Sequence, residues 1–119
     1  MEDGPATDPE VLDREALTSL ADQLEEGFEG LLARFGRRLE ETPATVRAAR
    51  AAGDRELLVR EAHSLKSVAA TFGATAVSRT SAALEAAGAE AGEAELDDLV
   101  GRLERDCAAA GDALRRAGL

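Results

Sequence analysis

Apolar residues recur along this chain at intervals of three and four, the spacing of helices packed on one side. Phe28, Leu31, Leu32, Phe35 and Leu39 stand at i, i+3, i+4, i+7 and i+11, and Val46 and Ala49 extend the stripe. Leu96, Leu99, Val100, Leu103, Cys107, Ala110 and Leu114 repeat the pattern toward the end. Alternating runs of β-branched residues are missing, so nothing supports strands. The pattern predicts an all-α chain.

Capping residues and breakers divide it. Leu17, Leu20 and Leu24 give a short first helix its buried face, with a capped start at Asp8-Pro9-Glu10 or at Asp13-Arg14-Glu15. A second helix is expected from about Glu26 to Ala52, with Pro43 kinking or dividing it because proline removes one backbone bond. Gly53 stops it, and Asp54 caps a third helix from about Arg55 to Phe72, closed by Gly73. A fourth, from about Thr75 to Ala87, packs through Val77 and Leu84 and ends in the stretch from Gly88 to Gly92. The fifth runs from about Glu93 to Ala117. Short connections favour antiparallel neighbours. The expected fold is therefore an up-down four-helix bundle with a short additional N-terminal helix. Residues 1–8, with Gly4, Pro5 and three acids, read as a flexible leader to a domain over residues 9–119.

Composition narrows the chemistry. The chain has 119 residues, enough for one domain with a real core. Its 24 acidic residues against 14 basic ones give a net charge of −10, and aromatics are only 3%. Nucleic acid is an unsuitable partner, since phosphate binding needs a basic surface and base stacking needs aromatics. One Cys excludes an internal disulfide and a Cys-rich zinc site, and it suits a reducing compartment. No apolar run approaches the ~20 residues of a membrane span, and Met1-Glu2-Asp3-Gly4-Pro5 is no signal peptide. A cytoplasmic protein without membrane contact is expected, and its full set of internal faces favours a monomer.

One helix carries the candidate chemistry. The single Lys, Lys66, follows the single His, His63, by three positions, and every other basic residue is Arg. At ~100° per residue, with His63 at zero, Leu58, Leu65, Ala69 and Phe72 fall between about 180° and 240°. His63 thus projects opposite the core, on a stripe with Glu56, Val59, Arg60, Lys66, Ser67 and Ala70. A lone exposed His is usually an ordinary surface residue. A metal or haem site is disfavoured by the lack of further His or Cys ligands and by the adjacent Lys66. General-base hydrolysis needs a pocket with an orienting carboxylate, which a convex helix face does not supply. Nucleophilic chemistry on phosphorus fits better. A neutral imidazole accepts a phosphoryl group on nitrogen near pH 7, and the doubly charged adduct needs a cation such as Lys66 one turn along.

The segment Ala62-His63-Ser64-Leu65-Lys66-Ser67, followed by Phe72-Gly73-Ala74 and Leu84-Glu85, resembles the histidine-containing phosphotransfer (HPt) domain family. That family's pattern reads approximately A-H-x-L-K-G, then a Gly, then L-E one helix later. The resemblance covers roughly residues 9 to 117. It implies that His63 is the phosphoacceptor, its Nε2 attacking the aspartyl phosphate of a receiver domain or the γ-phosphate held by a histidine kinase. Lys66 would offset phosphoryl charge. The partner would bring the catalytic groups and Mg2+, leaving this chain a phosphocarrier with no cofactor of its own rather than an autonomous enzyme. Val59, Arg60, Ser67, Ala70 and Gly73 would belong to the docking face, Gly73 also keeping the approach to His63 clear.

Ser67 departs from the usual glycine, but it is small and its hydroxyl offers the phosphate a hydrogen bond. Val77, Thr80 and Ser81 are smaller or more polar than the family's Leu-rich fourth helix and imply a lighter core there. Glu61 falls near the buried side, so an Arg partner from the second helix, Arg47 or Arg50, is expected. Cys107 reads as inert core. Arg34, Arg37 and Arg38 read as a solvated face, with docking to an acidic surface as the alternative. Glu90, Glu93 and Glu95 lack the spacing of a metal-binding loop. The expected function is relay of a phosphoryl group through His63 in a two-component phosphorelay. Two rivals stand beside it: an HPt module that is only the substrate of a chemotaxis-type kinase, and a non-phosphorylated helical adaptor.

Overall fold

The computed structural model describes residues 8–119, and the expected leader therefore lies outside the described residues apart from Asp8. Asp8 belongs to the ordered chain: its carboxylate accepts the Glu10 amide, and its carbonyl accepts the amides of Val11 and Leu12. Both candidate caps are thus used. Asp8 closes a turn, and Asp13 caps the first helix, α1 (Arg14–Leu24), by accepting from the Glu15 and Ala16 amides. A short 3-10 turn (Glu25–Gly27) leads into α2 (Phe28–Ala52). Three more helices follow: α3 (Arg55–Thr71), α4 (Thr75–Ala87) and α5 (Glu93–Arg116). The described residues contain no strand.

Helices α2 to α5 form the bundle in cyclic order, each packed on its two chain neighbours and α5 closing back on α2. Leu32, Phe35, Leu39 and Val46 from α2 meet Leu58 and Leu65 from α3, Val77 and Leu84 from α4, and Leu96 and Leu103 from α5 in one core. Phe35 and Phe72 stack with ring centroids 4.7 Å apart. Pro43 neither ends nor divides α2, and it is buried. Leu31, expected inside, is exposed. It lies about 60° from Phe28 around the helix, on the edge of the stripe that Leu32, Phe35 and Leu39 centre.

Two glycine positions shape the connections. Gly53 takes φ 73° as the left-handed C-cap of α2, and Asp54 then caps α3 by accepting the Leu57 amide. Gly73 takes φ 78° in the α3–α4 turn, and a Cβ there would sit 2.9 Å from the Asp13 carbonyl oxygen. The Asp13 amide donates to the Gly73 carbonyl at 2.8 Å, tying the start of α1 to this turn. Gly73 is therefore buried beneath α1, which removes it from the docking face where the sequence placed it.

The lighter core of α4 is as expected in kind. Val77, Thr80 and Ser81 are all buried. The Thr80 hydroxyl donates to Asp106 on α5 at 2.6 Å, whereas the Ser81 hydroxyl is buried without a partner. Glu61 gains neither expected arginine. Arg50 bonds Glu93 and Asp97 at 2.6 and 2.9 Å, and Arg47 pairs with Glu104. Both arginines lie on the side of α2 that faces α5, so they cannot serve α3.

Candidate functional site

The site is built across the α3–α4 pair. These helices run antiparallel through the tight Gly73 turn, and the Ser78 hydroxyl on α4 donates to the Lys66 carbonyl on α3 at 3.0 Å. That register brings Glu85, on α4, level with His63 and Lys66. Leu84 beside it is fully buried, which turns Glu85 to the rim. At the far end, Gly88 lets the two helices close: a Cβ there would meet Val59 Cγ2 at 2.7 Å. Arg55 then grips the carbonyls of Gly88 and Ala91 at 2.9 and 2.8 Å, covering the end of α4 with a cation.

One carboxylate organises the centre. His63 Nδ1 lies 2.5 Å from Glu85 Oε2, and Lys66 Nζ donates to Glu85 Oε1 at 2.6 Å. The Lys66 ammonium and, after it, the His63 ring hold the Glu85 carboxyl below the usual carboxylate range. Glu85 is therefore an ionised acceptor, and the proton between it and the ring belongs to Nδ1. In the neutral tautomer with its proton on Nδ1, Nε2 holds the free lone pair. The His63 side chain is 61% exposed against 27% for Glu85, so the imidazole stands out from a carboxylate seated beneath it.

The His63 stripe is open to a partner. Arg60, Ser67 and Ala70 are exposed and Val59 is half-buried. A hollow of about 630 Å³ adjoins the imidazole, lined by Arg55, Glu56, Val59, Arg60, His63, Glu85 and Ala89. Arg38, from α2, reaches the other flank: its Nη2 donates to Ser64 Oγ at 2.9 Å and its Nε to Thr42 Oγ1 at 3.2 Å. Arg34 and Arg37 are exposed. The basic cluster therefore divides, with Arg38 alone turned to α3.

Sequence reasoning missed Glu85 as a working residue. It stood in the quoted Leu84-Glu85 pair, but which α4 side chain meets His63 depends on the hairpin register. Among the described residues no three His, Cys, Asp or Glu side chains gather as a metal-binding group. No helix among them is long and apolar enough to cross a membrane.

A bundle of this topology, with an imidazole raised on its outer face beside a carboxylate and an ammonium, defines a carrier rather than an enclosed catalytic pocket. The Hpt domain family model matches residues 30–113, and the chain belongs to that family. It is a histidine phosphotransfer protein of two-component phosphorelays, a phosphocarrier rather than a catalyst. Among solved structures it is similar to histidine-containing phosphotransfer protein B (HptB) from Pseudomonas aeruginosa PAO1. The two share 27% identity over 89% of this chain and 92% of that one, with a TM-score of 0.81. No curated protein sequence matches.

Proposed function

We propose that His63 is the residue that carries the phosphoryl group, accepting and returning it through Nε2. The observation that carries this reading is the Nδ1 contact to Glu85, which fixes the tautomer that leaves Nε2 nucleophilic. In the accepting step Nε2 bonds to phosphorus while the bond from phosphorus to a receiver aspartate oxygen, or to the bridging oxygen of a nucleotide γ-phosphate, breaks. The carboxylate or nucleoside diphosphate leaves with that electron pair. The ring becomes cationic as it takes the phosphoryl group, and Glu85 faces the Nδ1 proton that bears this charge. Lys66, held one turn away, offers its ammonium to the phosphoryl oxygens.

Receiver domains and histidine kinases are the partner classes of the family. We assign the catalytic groups and Mg2+ to the partner. The acidic surface, at net charge −10, supports a protein partner over nucleic acid, and a monomer in the cytoplasm is part of the same reading.

Incubation with a phosphorylated receiver or an active histidine kinase tests it. The expected product is an acid-labile, base-stable label that His63→Gln abolishes while helicity is retained. Label that survives in His63→Gln, or that no receiver or kinase of the source genome delivers, overturns the assignment.

A further inference from the structure

We infer that Arg38 is a second cation of the phosphoryl site, a contact residue for the transferred group on the flank of His63 away from Lys66. The inference rests on His63 being the phosphoacceptor and goes beyond it. Three observations converge on Arg38. Its guanidinium crosses from α2 to α3 and ends on Ser64, the residue next to His63, at 2.9 Å. Both its hydrogen-bond partners, Ser64 and Thr42, are neutral hydroxyls. No carboxylate among the described residues lies in ion-pair distance of it, whereas Arg47, Arg50, Arg55 and Arg79 all pair with acids.

Among the described arginines without an acid partner, Arg38 alone makes side-chain hydrogen bonds, and one of them crosses to α3. Glu41 lies at i+3 from Arg38 on the same helix, yet the guanidinium turns to α3 instead. Thr42 holds Nε and fixes the plane of the fork, while Ser64 takes only one terminal nitrogen. The other donors of the fork remain for an incoming oxygen. Lys66, by comparison, already spends its ammonium on Glu85. A phosphoryl group on Nε2 adds close to two negative charges beside these cations. Arg38 reaches it by exchanging a weak neutral contact, whereas the Lys66 charge is already balanced by Glu85. Arg38 thus supplies charge at lower cost, and the planar fork suits two phosphoryl oxygens at once.

Phosphoramidate, a small donor whose nitrogen is protonated near neutral pH so that ammonia can leave with the bonding pair, tests this without a partner protein. Its phosphorus–nitrogen bond breaks as the Nε2–phosphorus bond forms, ammonia leaves, and the ring keeps its Nδ1 proton against Glu85. The measurements are the second-order labelling rate, the 31P resonance of the phosphohistidine, and the Arg38 side-chain 15Nε resonance before and after labelling. Arg38→Ala is expected to slow labelling about tenfold, and Arg38→Lys to recover part of that loss. The Arg38 resonance is expected to shift on labelling of the unsubstituted chain, and the 31P resonance to differ in Arg38→Ala. A role confined to bracing α2 against α3 would lower Tm but move neither resonance. Equal labelling rates and unchanged resonances in a chain that labels at His63 overturn the Arg38 assignment alone. If the unsubstituted chain does not label, or His63→Gln still does, the phosphoacceptor reading falls with it.

Discussion

The two flanks of the bundle use charge in different ways. Between α2 and α5, Arg47 faces Glu104 and Arg50 faces Glu93 and Asp97, so each guanidinium is matched by at least one carboxylate. Between α3 and α4 the balance is reversed, with Glu85 alone serving both His63 and Lys66. Arg38 adds a further cation on the α2 side of the same site. The protein is strongly acidic overall, yet two cations, Lys66 and Arg38, stand near its one imidazole and only Lys66 has a carboxylate partner. The matched flank is complete as it stands. The other is short of negative charge, which is the condition a phosphoryl group relieves.

Substitutions at each flank break or sharpen that contrast. The largest effect is expected at Glu85. Glu85→Gln keeps the shape but can present its amide nitrogen to Nδ1, freeing the tautomer, and phosphotransfer should slow about 10–100-fold. Rates from a phosphorylated receiver, with circular dichroism to verify the fold, measure it; a rate within twofold of the unsubstituted chain would show that Glu85 does not orient the ring. Lys66→Ala should slow transfer about tenfold and shorten the life of the phosphorylated form without changing helicity. Next comes the core beside the site. Ser81→Ala removes a buried hydroxyl that has no partner and should stabilise the fold by about 1 kcal/mol in urea unfolding, leaving transfer rates unchanged. Smallest is the matched flank: Arg50→Ala should lower Tm by about 3 °C or less and leave transfer intact.

Acid sharpens the same comparison. The carboxyls of Glu85 and Glu104 are both held below the usual range, Glu85 chiefly by Lys66 and then His63, Glu104 chiefly by Arg47. A lowered folded-state pKa means that the unfolded chain binds the proton more readily. The stability each contributes is therefore full above the ordinary carboxylate pKa and is lost as pH falls through the lower, folded value. At the basic end the sign reverses. Burial pushes the Cys107 thiol up to about 12, so the unfolded chain loses its proton first and stability declines as pH rises from about 9 toward that value. Unfolding curves across both limbs check the two directions, and Cys107→Ala should flatten only the alkaline one.

Helix positions were largely legible because local chemistry sets them. Asp54 and Gly53 act as the caps their residue types imply, and the α4 range is as expected. His63 and Lys66 were legible as a pair because i and i+3 on one helix share a face whatever the tertiary structure does. What crosses between helices was not. Glu85, Arg38 and the true partners of Arg47 and Arg50 depend on register and on which side of α2 meets which neighbour. Gly73 shows the same limit: its positive φ was readable from its place after the helix, but the cover that α1 gives it was not.

That cover has a consequence for how the chain assembles. The Asp13 amide bonds the Gly73 carbonyl and the Ala76 amide bonds the Glu10 carbonyl, joining segments from opposite halves of the chain. The α3–α4 hairpin closes over a short turn, whereas docking α1 requires a much longer loop to be ordered first. Helix α1 therefore joins a hairpin already formed and is the first element to leave it. Amide exchange should find the Asp13 and Ala76 hydrogens opening locally, while Leu65 and Leu84 exchange only with the whole fold. The α3–α4 hairpin is the foundation of this bundle, and its opening helix is the last piece laid.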